Sequence, residues 1–113
     1  MSNLHELKCV PCRGGEPPLS EAEIVVFQPQ VPDWNMLEVN GEKRLSKVFK
    51  FKNFAQALAF TDQVGVLAEA EDHHPALLTE WGKVTVSWWT HIIKGLHQND
   101  FIMASKTDRL YSG

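Results

Sequence analysis

Two segments of the chain alternate apolar and polar residues with a period of two. Each contains a pair of strand-like runs, 34–40 with 44–51 and 76–81 with 83–89. Asn40-Gly41 separates the first pair, and this dipeptide is the strongest short hairpin signal because both turn residues need a positive φ. Gly82 separates the second pair. The pattern therefore predicts two β-hairpins.

The predicted strands each have an apolar face and a polar face. The apolar side chains that share a face in 44–51 and in 83–89 are Leu45, Phe49, Phe51, Val84, Val86 and Trp88. The side chains on the opposite face are Ser46, Lys50, Lys83, Thr85 and Ser87. Such strands pack one side on a core and turn the other side to water. We expect one buried and one solvated face.

Capping residues and helical spacing predict three helices. Ser20 and Glu23 form a capping-box pattern, and Pro29 and Pro32 end this first helix after about two turns. Asn53 caps a second helix over about 54–70. Its apolar stripe is Phe54, Ala57, Leu58, Thr61, Val64 and Ala68, with Phe60 and Leu67 beside it. A third helix over about 98–111 has a blurred stripe that leaves its buried face undefined.

The element order α-β-β-α-β-β-α predicts an α+β fold in which a four-stranded antiparallel sheet has helices packed on one face. Residues 1–18 are rich in Gly and Pro and are predicted as an irregular N-terminal lead-in to a single domain over 19–113. Pro75 ends the central helical region and favours extended geometry in the residue before it. His73 and His74 therefore lie at a corner between helix and strand.

Composition and charge narrow the class of protein. The 113 residues, 43% hydrophobic and 22% charged, are those of one ordinary globular domain. No apolar run approaches the roughly 18 residues of a membrane span, and the N-terminus lacks a signal-peptide pattern, so we expect a cytoplasmic protein. A net charge of −3 argues against a dedicated nucleic-acid-binding protein. The densest basic run is interpreted as a solvated strand face and consists of Lys43, Arg44, Lys47, Lys50 and Lys52.

Cys9 and Cys12 form a single C-x-x-C pair. A structural zinc site needs four ligands, and no second pair accompanies this one. A redox pair normally opens a helix after a strand, whereas this pair precedes a Gly- and Pro-rich stretch. We interpret it as a reduced, non-catalytic pair, with capture of a metal, a disulfide or a functional pair as alternatives.

The main candidate for chemistry is a cluster of titratable residues over 69–91. It contains His73, His74 and His91 together with Glu69, Glu71 and Asp72. Histidine, with an unperturbed pKa of about 6.5, transfers protons readily near neutral pH. The cluster is compatible with a catalytic or ligand-binding site, with a metal site, and with no function. Metal is the weaker interpretation, since adjacent histidines tend to point apart.

These residues resemble a known family. The spacing is Glu69-x3-His73-His74-Pro75-x5-Trp81-x9-His91-x8-Asp100. The likeness extends over roughly 20–110 and includes Trp34, Phe49-Lys-Phe-Lys-Asn-Phe54, Asp100-Phe-Ile and Lys106-x-Asp-Arg-Leu110. The pattern is similar to the signature of the pterin-4a-carbinolamine dehydratases, which in animals also include the dimerisation cofactor of a homeodomain transcription factor.

The resemblance implies a hydro-lyase of tetrahydropterin recycling. Such an enzyme removes water from 4a-hydroxytetrahydropterin and gives the quinonoid dihydropterin. Hydroxide leaves poorly, so an acid must protonate it while a base takes a proton from the ring system. The resemblance implies neither a metal nor another cofactor, and its partners are a pterin substrate and further copies of the chain in a homodimer or homotetramer.

The resemblance also assigns site residues. His73, His74 and His91 are the implied acid/base groups, and which of them is the acid stays open. The implied contacts to the pterin are Glu69, Asp72, Trp89 and Thr90, with Trp89 at a position where the family also has a small hydroxyl residue. Asp100 has a simpler explanation, because an acid at the start of a helix complements the helix dipole. Trp81 and Trp88 are interpreted as core or interface residues.

Two other functions remain open at this stage. One is a binding or regulatory partner protein with the same fold, in which the active site is incidental. The other is a dehydratase relative that serves molybdopterin metabolism. The complete set of three histidines favours the enzyme over the binding protein.

Overall fold

The computed structural model describes residues 4–10 and 17–111. The α-helices are α1 (Glu21–Phe27), α2 (Phe54–Glu71) and α3 (Gln98–Leu110). The strands are β1 (Asn35–Val39), β2 (Glu42–Lys50), β3 (Ala76–Glu80) and β4 (Lys83–Trp88). Short 3-10 turns occur at Leu4–Glu6, Gln28–Gln30 and His91–Ile93. All seven regular elements lie where the sequence pattern predicts them, with ends that differ by one or two residues.

The four strands form one antiparallel sheet in the order β1-β2-β4-β3. Asn40 and Gly41 have φ values of 53° and 80°, as the predicted hairpin turn requires. The second hairpin turns at Gly82, whose φ is 79°. Helices α2 and α3 cover one face of the sheet, so the predicted α+β class is confirmed.

The core lies between this sheet face and the two long helices. Its strand residues are Leu45, Phe49, Val84, Val86 and Trp88, as the alternation predicts. Helix α2 contributes Ala57, Phe60, Val64 and Ala68. The predicted α2 stripe is therefore partly wrong, because Phe54 and Leu58 are exposed while Phe60 is in the core. The side of α2 that packs on the core is narrower than the side over which the predicted apolar stripe extends.

Helix α3 is the most deeply buried helix of the described residues, although its sequence pattern left its buried face undefined. The buried set is Asn99, Asp100, Phe101, Ile102, Met103, Ala104, Ser105 and Thr107. It is covered by the sheet on one side, while the 3-10 turn at Leu4–Glu6 packs on it as well. Burial on several sides removes the amphipathic contrast from which a sequence pattern is read.

Some polar residues do not follow the predicted division of the sheet into a solvated face and a buried face. Ser46 is buried on the face predicted to be solvated, where its hydroxyl lies 3.0 Å from that of Ser87. Lys47 points to the helix side, where its Nζ lies 2.8 Å from Oδ1 of Asp108. The prediction of a solvated basic face is therefore wrong for Lys47, because alternation places it on the same side as Leu45.

The lead-in packs against the domain in the part that the structure describes. Leu4 is buried, and its N–H donates to Oε1 of Gln30 at 2.9 Å. Val10 and Asn99 exchange two hydrogen bonds: the Val10 N–H donates to Oδ1 at 3.0 Å, and the Asn99 amide donates to the Val10 carbonyl at 2.7 Å. Cys12, and with it the predicted C-x-x-C pair, lies outside the described residues. None of the helices within these residues is both long and apolar enough to cross a membrane.

Candidate active site

The corner that carries the two adjacent histidines is shaped by the end of α2. Asp72 has a left-handed φ of 52°, which an aspartate tolerates better than most residues. The Asp72 N–H donates to the Glu69 carbonyl at 3.3 Å, and the His73 N–H donates to the Ala68 carbonyl at 3.1 Å. This pair of bonds is a Schellman-type cap, which stops the helix and turns the chain. Pro75 then leads into β3.

His73 points into the protein from this corner. Its Nε2 lies 2.6 Å from Oδ1 of Asp100, and only 10% of its side chain is exposed. The imidazole stacks on the indole of Trp88 with an angle of 8° between the rings and 5.8 Å between their centroids. Thr107 holds that indole, since Trp88 Nε1 donates to its hydroxyl at 3.2 Å. The ring of His73 is therefore held at its edge by Asp100 and on its face by Trp88.

Asp100 joins three parts of the chain through one carboxyl group. Oδ1 contacts His73, while Oδ2 accepts the Thr90 hydroxyl at 2.8 Å and the His97 N–H at 2.9 Å. The Asp100 side chain is 0% exposed. The expectation that Asp100 only complements the helix dipole is incomplete, because the same carboxyl group caps α3 and binds His73. One carboxyl group can fill both roles because a carboxylate at the N3 position of a helix uses one oxygen to accept the N–H of the capping residue and leaves its other oxygen for another partner.

His74 points the other way, toward solvent. Its side chain is 55% exposed, and its Nε2 lies 3.6 Å from Oε2 of Glu69, which is 79% exposed. Adjacent residues leaving a helix cap in extended geometry point in opposite directions, which separates this ring from that of His73. Asp72 is also exposed, and its backbone rather than its side chain shapes the corner.

His91 lies in a small closed loop after β4. Thr90 and Gly95 pair across this loop, and the Lys94 N–H donates to the His91 carbonyl at 3.1 Å. Gly95 is required here, because a Cβ atom at this position would lie 2.8 Å from that of Pro18. The His91 side chain is exposed, and its ring centroid lies 4.4 Å from that of the buried Trp89.

The structure thus brings together only some of the residues that the sequence singled out. His73 and Thr90 meet at Asp100, and His74 lies beside Glu69. Over residues 4–10 and 17–111, no hydrogen bond, ion pair or ring contact links His91 to either of the other two histidines. Trp88 is buried in the core, whereas Trp81 is 73% exposed, so it is not a core residue and its place in an interface stays a prediction.

Several contacts around the site were not predicted. The support of Trp88 by Thr107 and the contact of Arg44 with the Trp89 ring have no local sequence signal, because they join residues far apart in the chain. Asp100 itself did have a sequence signal, since it belongs to the spaced motif. Within the described ranges, no group of three or more His, Cys, Asp or Glu side chains is arranged to hold a metal ion.

Glu71 ties the corner to the lead-in. Its Oε1 accepts the Cys9 N–H at 3.0 Å and lies 3.3 Å from the Nζ of Lys106. The hydrogen bond from the Cys9 backbone lowers the pKa of the Glu71 carboxyl, and Lys106 lowers that pKa further.

An open groove of about 530 Å³ lies apart from the candidate site, and its lining includes Phe51, Phe60 and Tyr111.

The buried pair is suited to proton transfer. When the Nε2 atom of His73 carries a proton, it donates a hydrogen bond to Oδ1 of Asp100, and Nδ1 is then the ring nitrogen that can accept a proton. The hydrogen bonds from Thr90 and His97 occupy the other oxygen of Asp100, so the carboxyl group cannot rotate freely. A ring that is held in one orientation is what general acid/base catalysis requires.

Comparison with known proteins agrees with the motif. Residues 17–110 match the family model described as pterin 4 alpha carbinolamine dehydratase. A Microcystis aeruginosa protein that is provisionally named a pterin-4-alpha-carbinolamine dehydratase is 59% identical over 111 residues, which are 98% of this chain and 96% of that protein.

Solved structures show the same fold. The crystal structure of a transcriptional coactivator/pterin dehydratase from Brucella melitensis has a TM-score of 0.73 and 31% identity, covering 82% of this chain and 97% of that one. A pterin dehydratase-like protein described as a RuBisCO assembly factor in the alpha-carboxysome has a TM-score of 0.58 at 23% identity, covering 69% and 88%, and shows the fold alone. On the family model and the Microcystis and Brucella relatives together, this chain belongs to the pterin 4 alpha carbinolamine dehydratase family.

Proposed function

We propose that the protein is an active dehydratase that removes water from 4a-hydroxytetrahydropterin and releases the quinonoid dihydropterin. The observation that carries this proposal is the buried His73–Asp100 pair at 2.6 Å, built within the family motif. The cap of α3 uses only Oδ2 of Asp100, so the contact of Oδ1 with the His73 ring is an addition that capping does not require. Burying a carboxylate is costly unless hydrogen bonds satisfy it, and three such contacts hold Asp100.

In this proposal the histidines divide the proton transfers. One imidazole protonates the C4a hydroxyl group as the C–O bond breaks, so that water leaves. Another takes a proton from the ring system, and the electron pair of that bond forms the new double bond of the quinonoid product. His73 is held by Asp100, whereas His74 and His91 are exposed to an incoming substrate.

The remaining site residues are proposed as pterin contacts. Glu69 and Asp72 lie exposed on the corner beside His74, and Glu69 either orients that ring or accepts the N–H donors of the pterin edge. Trp89 and Thr90 are buried at the end of β4 and form the opposite wall. We further propose that the enzyme works in the cytoplasm as a homodimer or homotetramer and recycles tetrahydropterin for a hydroxylase.

The test is a stopped-flow assay of 4a-hydroxytetrahydropterin dehydration with Asp100→Asn. An amide at this position donates a hydrogen bond where the carboxylate accepted one, so it favours the wrong tautomer of His73. We expect kcat to fall about 100-fold. Asp108→Asn is the matched control, since it is the same change on the same helix at a carboxylate that binds Lys47 and Trp34 instead.

Equal kcat values for Asp100→Asn and Asp108→Asn would contradict the catalytic use of the buried pair. A folded wild-type protein that binds pterin without accelerating dehydration would instead support the binding or regulatory function.

A further inference from the structure

A basic side chain outside the histidine cluster contacts the same aromatic ring as His91. The Cζ atom of Arg44 lies 3.8 Å from the centroid of the Trp89 ring, and the His91 ring centroid lies 4.4 Å from it. Arg44 belongs to β2, in which Leu45 pairs with Trp88 of β4. Extending that antiparallel register by one residue places Arg44 opposite Trp89, so the two side chains share one face of the sheet.

The Arg44 guanidinium is held by this ring rather than by an acid. Among the described residues, its Nε is buried without a hydrogen-bond partner, and its side chain forms no ion pair. A planar, weakly hydrated guanidinium stacks on an aromatic face, which the compact ammonium of lysine does less well. Arg44 and Trp89 therefore fix each other in place.

His91 depends on the same ring for its orientation. The closed loop over 90–95 fixes the backbone of His91 but not its imidazole. Within the part of the chain that the structure describes, the Trp89 ring is the one group in ring or hydrogen-bond contact with that imidazole. Where the His91 ring points is therefore decided by where the Trp89 ring lies.

We propose that Arg44 is a positioning residue that holds the Trp89 ring and, through it, the His91 imidazole at the rim of the active site. The proposal rests on the acid/base function proposed for His91. Arg44 acts through the Trp89 ring, so its loss disturbs both the alignment of His91 and the proposed contact of Trp89 with the pterin. Small misplacements of a proton-transferring group lower the rate of the chemical step.

The first test compares Arg44→Met, Arg44→Lys and the control Lys43→Met. Lys43→Met removes the same charge from the neighbouring residue, whose Nζ lies 3.8 Å from Oε1 of the exposed Glu21. We expect kcat to fall about tenfold in Arg44→Met and about threefold in Arg44→Lys, and KM to rise as well because Trp89 is itself a proposed pterin contact. Lys43→Met should behave as wild type.

The second test needs no activity. The ring current of Trp89, whose centroid lies 4.4 Å from that of His91, should shift the Cε1 proton of His91 in the NMR spectrum, and His91→Asn identifies this resonance by removing it. We expect Arg44→Met to shift or broaden this resonance, and Lys43→Met to leave it unchanged.

Equal kcat values and equal His91 resonances in Arg44→Met and Lys43→Met would overturn the proposal. A wild-type protein without dehydratase activity would refute the proposed function, and the NMR comparison would then decide alone whether Arg44 positions His91. Should Arg44→Met fail to fold, Arg44→Lys replaces it as the test. That variant should shift the His91 resonance and lower kcat, and unchanged values of both would overturn the proposal.

Discussion

The candidate site has two halves that are built in different ways. The buried half consists of His73, Thr90 and Asp100, which are joined by hydrogen bonds of 2.6 and 2.8 Å. The exposed half consists of His74 with Glu69, and of His91 on the Trp89 ring. Hydrogen bonds in a low-dielectric interior fix geometry strongly, whereas exposed ion pairs contribute little. A proton-transfer site needs both, since one half supplies alignment and the other supplies access for the substrate.

The largest effect should come from breaking the buried half. Asp100→Ala leaves three donors or acceptors without their partner: the His73 ring, the Thr90 hydroxyl and the His97 N–H. We expect the free energy of unfolding to fall by about 3 kcal/mol, because several buried polar groups lose their hydrogen-bond partner at once. Urea denaturation followed by circular dichroism measures it. A loss below about 1 kcal/mol would show that the network contributes little to the stability of the fold.

The exposed half should respond in the opposite way. His74→Ala removes a half-exposed ring whose contact with Glu69 is 3.6 Å long, so the free energy of unfolding should change by less than about 0.5 kcal/mol. Dehydration should nevertheless slow about 100-fold, the contribution of one acid/base group. Parallel denaturation and stopped-flow measurements separate the two effects. Wild-type rates in this variant would remove His74 from the acid/base groups.

A smaller effect should distinguish two glutamates near the corner by their dependence on pH. The pKa of Glu71 is lowered in the folded protein by the Cys9 N–H, so its stabilising contribution is present above the unfolded pKa of about 4.3 and is lost as pH falls through the folded pKa. Glu71→Gln should destabilise the protein by about 1 kcal/mol at neutral pH, and the difference should shrink as pH falls below about 4.

Glu69→Gln is the control for that prediction, because among residues 4–10 and 17–111 its exposed carboxylate makes only the 3.6 Å contact with His74. Thermal unfolding at pH 3, 4, 5 and 7 measures all three proteins. A pH-independent difference between wild type and Glu71→Gln would show that the charge of Glu71 is not what binds the lead-in.

Local signals in the sequence determined the elements of the fold. The capping box of Ser20 and Glu23, the Asn53 cap and the Asn40-Gly41 turn all occur as predicted. Each of these depends on residues at most three apart, so the local sequence contains the whole interaction. The alternation of Val84, Val86 and Trp88 gave the buried sheet face for the same reason.

The tertiary structure alone decided which side chains the site unites. His73 and Asp100 are 27 residues apart, and Trp88 and Thr107 are 19 apart, so no periodicity relates them. Burial on several sides likewise hid the packing of α3 from its sequence pattern. The sequence could predict that His73 and His74 lie at a corner between helix and strand. Only the Schellman-type turn at Asp72 and the packing of α3 determined that His73 points inward while His74 points to water.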